Sequence, residues 1–106
     1  MGTVDALLVG RPVPARVSEG ARLEFLGAVG SGWNRRNSRY LFAQLAALAQ
    51  PTRPFSTPVP AEYARYAIWV RAQIFGEVEY RSWTVSGTLR EPSWTRVLAG
   101  KALRDL

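Results

Sequence analysis

This chain contains no cysteine and no histidine. That excludes a disulfide framework, thiolate chemistry and any metal site built from Cys and His. It also excludes the Ser-His and Cys-His pairs of nucleophilic hydrolases. Lysine is almost missing: Lys101 is the single one among 14 basic residues, and the other 13 are arginine. No apolar run is long enough to cross a bilayer. The stretch Ala6-Leu7-Leu8-Val9 is too short for a signal peptide, and Asp5 interrupts its approach. The expected location is the cytoplasm, with no membrane partner.

What is present fits one small domain over 1–106, with 47% hydrophobic residues to build its core. The net charge of +6 favours a polyanionic partner at long range. A compositional bias toward arginine and alanine is the plain alternative.

Patterning divides the chain into short elements. Thr3 to Gly10 reads as a strand ended by Gly10-Arg11-Pro12. Pro12 to Gly20 reads as loop. Arg22 to Val29 alternates, with Leu23, Phe25, Gly27 and Val29 on one face, which predicts a second strand. Gly30-Ser31-Gly32-Trp33-Asn34 is a turn, and Asn34 is a suitable N-cap. Leu41, Leu45 and Leu48 then fall on one face of a helix from about Arg35 to Ala49. Pro51 to Pro60, with four prolines, is extended loop. One long strand is expected from about Ala67 to Val85, bent or bulged at Gly76. Ser86-Gly87 turns it into Thr88-Leu89-Arg90, and the tail from Thr95 has weak helical character.

Several residues invite a chemical reading. Arg35, Arg36 and Arg39 cluster at the start of the helix, where the dipole disfavours cations. A bound phosphate would relieve that conflict and use the free N–H groups; solvation is the plain alternative. Gly30-Ser31-Gly32 is read as a simple turn, because its spacing is not a dinucleotide fingerprint. Glu77 and Glu79 share a strand face and are expected to be neutralised by Arg71 and Arg81 rather than to catalyse. Arg90, Arg96, Lys101 and Arg104 make the last third basic. No metal-binding residues are proposed.

One region carries a family resemblance. It runs Trp69-Val70-Arg71, then Gly76-Glu77-Val78-Glu79-Tyr80-Arg81-Ser82-Trp83-Thr84, then Gly87-Thr88-Leu89-Arg90-Glu91-Pro92-Ser93-Trp94. It resembles the C-terminal OB-fold domain of bacterial ATP-dependent DNA ligases of the end-joining type. Their pattern is W-V-x-P-x-L-V-x-E-V-x-Y/F-x-x-W-T-x-x-G-x-L-R-x-P-S-F/W. Leu23-x-Phe25-x-Gly27-x-Val29-Gly30-x-Gly32-Trp33, Pro54-Phe55 and Pro58-Val59-Pro60 match further pieces in order, so the likeness covers Asp5 to Lys101.

The resemblance implies an all-β barrel with one helix, an OB-fold, lacking its first strand. It implies binding across nicked double-stranded DNA opposite a nucleotidyltransferase domain, for strand joining in DNA repair. Arg35, Arg36, Arg39, Arg90, Arg96, Lys101 and Arg104 are the expected DNA contacts. Duplex DNA offers no free base faces, so Trp69 and Trp94 are expected in the core; Trp83, on the face of Glu77, Glu79 and Arg81, is open to either reading. ATP and magnesium are implied for the parent ligase and no cofactor for this domain alone.

Two departures matter. The family ends this region with R-x-D-K, which positions the leaving pyrophosphate during enzyme adenylation. Here Lys101 falls on its Lys, but Leu98 and Gly100 fall on its Arg and Asp. A leucine makes no charge-assisted bond to phosphate, so that role does not carry over to Leu98. The only lysine begins Lys101-Ala102-Leu103-Arg104, so there is no K-x-D-G adenylation motif. Catalysis is therefore expected from a partner polypeptide or an N-terminal portion. Two other readings stand beside this one. A strand edge near Val4 to Val9 would suit protein interaction or self-association, and the charge pattern equally suits RNA.

Overall fold

The computed structural model describes residues 2–13 and 22–98. In chain order the elements are β1 (Leu7–Val13), β2 (Arg22–Val29), α1 (Arg35–Ala46), α2 (Ala61–Ala64), β3 (Gly76–Glu79), β4 (Ser82–Trp83), β5 (Leu89–Arg90) and β6 (Ser93–Val97). The strands pair antiparallel as β1–β2, β3–β6 and β4–β5. The described residues thus form a small, mostly strand domain with two helices and no closed barrel.

β2 forms where its alternation predicts. Phe25, Gly27 and Val29 are buried, and Val29 is fully so. β1 differs from expectation, running on past Gly10 to Val13 with a register shift at Val9/Gly10. Pro12 is tolerated because it opposes Leu23. The Leu23 N–H donates to the Pro54 carbonyl (2.9 Å), and its own carbonyl accepts from the Ser56 N–H (2.8 Å). Leu23 therefore turns both backbone groups away from β1, and no donor is needed from Pro12. The expected free edge near Val4 to Val9 is confined to one side of the strand. Leu7, Leu8 and Val9 pair with Val29, Ala28 and Gly27, and the Val4 N–H donates to the buried Ser38 Oγ (2.8 Å). Only the far side of β1 pairs with no strand among the described residues.

The proline-rich segment is a loop, as expected, and it also furnishes core. Phe55 and Val59 are buried with Phe25, and Leu8, Leu23, Ala64 and Trp69 pack around them. Phe25 and Phe55 meet edge to face at 5.5 Å, a preferred aromatic geometry.

α1 begins at the Asn34 cap, whose Oδ1 accepts from the Asn37 N–H (2.8 Å). It ends at Ala46, three residues before the expected end. Beyond it, the Gln50 N–H donates to the Trp69 carbonyl (2.8 Å) and the Arg71 N–H to the Leu48 carbonyl (2.9 Å). Pairing with this distant segment wins over another helical turn.

The single long strand from Ala67 to Val85 is not formed. Val70 makes an isolated bridge to Ala49, and the rest divides into β3 and β4. The division follows from partner exchange: β3 pairs with β6, whereas β4 pairs with β5. The expected helical tail is corrected where it is described, since Thr95 to Val97 belong to strand β6 (Ser93–Val97). Residues 99–106, with Lys101 and Arg104, lie outside the described residues.

Candidate nucleic-acid interface

The loop before α1 is fixed by β6. The Trp94 N–H donates to the Ser31 carbonyl (2.9 Å), and the Trp33 and Trp94 rings lie 6.5 Å apart. Gly32 has φ +104, and a Cβ there would collide with the Trp94 backbone. Trp94 in turn lies over Gly76, where a Cβ would enter its ring. Two glycines on distant segments therefore let one tryptophan lock the helix start against the β3–β6 sheet.

On that fixed start, Arg35, Arg36 and Arg39 are all exposed. The first turn of α1 holds no acidic residue, and none of the three has an ion-pair partner among the described residues. The Asn34 cap satisfies the Asn37 N–H. Three cations thus stand at the helix end that electrostatically prefers anions, with nothing from the described protein to neutralise them.

Three other arginines stand in different settings. Arg90 is exposed on β5, opposite Ser82, with no acidic partner among the described residues. Arg96 opposes Glu77 on β6 and donates to its carboxylate at 3.1 Å. Arg81 approaches Glu91 at 3.7 Å. Glu77 is therefore paired by Arg96 and not by Arg71 or Arg81, which corrects the expected pairing. Both pairs are exposed and add little stability.

Trp69 packs against the core cluster, as expected, and Trp94 is half-buried. Trp83 is exposed, with Tyr80 edge to face at 5.5 Å and the Arg11 guanidinium 5.6 Å from its ring centre. Arg11 Nε donates to Glu24 at 2.8 Å, and that carboxylate pushes the Arg11 pKa up. The sequence reading did not single out Arg11 or Tyr80. The contact joins β1 to the β3–β4 corner, and no local spacing announces it.

The geometry and the sequence pattern place this chain in one family. Residues 1–101 match the ATP dependent DNA ligase C terminal region, and the chain belongs to that family. It is 37% identical over 91 residues to the multifunctional non-homologous end joining DNA repair protein LigD of Mycobacterium tuberculosis (strain ATCC 25618 / H37Rv), covering 86% of this chain and 11% of that one. It is 30% identical over 103 residues to LigD of Pseudomonas aeruginosa, covering 97% of this chain and 12% of that one. The fold matches the crystal structure of the ligase domain of M. tuberculosis LigD with a TM-score of 0.87 at 33% identity, covering 100% of this chain and 33% of that one. A mycobacterial DNA ligase D complexed with ATP and MES matches with a TM-score of 0.82 at 33% identity, covering 96% of this chain and 32% of that one. This chain thus spans a small fraction of its curated relatives and a third of the solved ligase domain.

Proposed function

We propose that this chain is an OB-fold DNA-binding domain of an ATP-dependent DNA ligase, serving strand joining in end-joining DNA repair. It grips nicked duplex through phosphates, opposite a nucleotidyltransferase domain that supplies the adenylation lysine and the bound ATP and magnesium. The observation that carries this reading is the set of unneutralised Arg35, Arg36 and Arg39 at the fixed start of α1, in a chain of the ligase C-terminal family. Arg90 adds a further exposed cation. Arg96 contributes less, because Glu77 already holds it. Lys101 and Arg104 belong to the same proposal from their place in the sequence alone.

Binding of this kind releases counterions, so log affinity should fall linearly with log salt, by about 0.9 per phosphate neutralised. A titration of a labelled nicked duplex by fluorescence anisotropy at several salt concentrations reads that slope. Affinity that is independent of salt would overturn the proposal. Base sequence should matter little, because phosphate contacts carry none of that information.

A further inference from the structure

Tyr80 and Trp83 are the one pair of exposed aromatic rings in mutual contact among the described residues. They stand at the corner where β3 hands over to β4, 47% and 44% exposed. Rings of this size ordinarily bury most of their area, and here nearly half of each is left to solvent.

Arg11 borders the pair. Its guanidinium lies over the Trp83 ring at 5.6 Å, and its Nε donates to Glu24 at 2.8 Å. Glu24 engages Nε alone, so the two terminal nitrogens have no partner among the described residues. The guanidinium is thereby held in place by its inner nitrogen and one face, with its outer fork free. Arg81 follows Tyr80 directly, and its approach to Glu91 is loose at 3.7 Å.

We propose that Tyr80, Trp83 and Arg11 form a platform for unpaired nucleotides, distinct from the arginines at the start of α1. Bases stack on the exposed rings, and the free fork of Arg11 takes an adjacent phosphate. Stacking on aromatics tolerates any base, because every base has a π-face. Paired bases inside a duplex have no face to offer, so the ligand is an unpaired end or gap beside the duplex. This inference rests on the reading of the domain as DNA-binding. It differs from that reading in its electrostatic signature. Stacking neutralises no phosphate, so the share of affinity that comes from the bases carries no salt dependence of its own.

The test uses the full chain and two nicked duplexes with the same short single-stranded extension, one with bases and one abasic. Both carry the same phosphates. The extension with bases should bind about ten-fold tighter, from stacking of about 1–3 kcal/mol per base, at an unchanged salt slope. Trp83→Ala should abolish that ratio, whereas Trp83→Phe should keep most of it; equal melting temperatures confirm that both variants fold. Tryptophan emission should also be quenched by the isolated single-stranded oligonucleotide in the wild type and not in Trp83→Phe. This last reading does not depend on duplex binding, so it separates failure of the platform from failure of the duplex face. Equal affinity for the two extensions overturns the proposal, and so does a ratio that survives Trp83→Ala.

Discussion

Gly32 shows how much can rest on one missing methyl group. Its φ of +104 is disfavoured for any side chain, and the space where a Cβ would stand is filled by the Trp94 backbone. Gly32→Ala would therefore combine strain with a backbone collision, which a flexible neighbour cannot relieve. We expect a loss of about 2 kcal/mol or more in the free energy of unfolding, measured from urea midpoints. A change under half of that would mean that the loop before α1 can move off β6 cheaply. In that case the helix start would not be held in place. The same collision logic applies at Gly76, but there the obstacle is the Trp94 ring, which can in principle swing aside.

At the scale of elements, α1 matters most, because it carries the candidate contacts. Its start is set by Asn34, whose side chain closes onto the Asn37 N–H. Asn34→Ala should cost about 1 kcal/mol of stability, read from the thermal or urea transition. The cap, the start at Arg35 and the buried alternation of Arg22–Val29 were all legible in the sequence, because each depends on near neighbours in the chain. The ends and breaks were not legible. α1 stops at Ala46 because residues 48–50 pair with Trp69 and Arg71. The stretch from 67 to 85 breaks because its two halves take different partners, β6 and β5. Ser93–Val97 is a strand because β3 lies beside it, although the tail from Thr95 onward reads as weakly helical. The candidate site divides in the same way. The arginines of one helical turn could be read locally, whereas the meeting of Arg11 with Trp83 joins positions 72 residues apart and could not.

For the whole molecule, the informative quantity is where charge is left unbalanced. The chain carries +6, yet Arg11, Arg81 and Arg96 each have an acidic neighbour. Arg35, Arg36 and Arg39 have none among the described residues, and they sit at the helix end where a cation is disfavoured. A structural role would make these arginines stabilising, whereas a role in phosphate binding tolerates a small cost in the free domain. Replacing all three with Gln separates the two roles. The most direct measurement is a paired one on the triple variant: its unfolding free energy, and the salt dependence of its binding to nicked duplex. Stability should be unchanged or raised by a few tenths of a kcal/mol per residue. Affinity should fall, and the salt slope should become shallower by up to about one unit per lost contact. Lost stability with affinity and slope unchanged would contradict a phosphate-binding role, and would move the DNA face away from the start of α1.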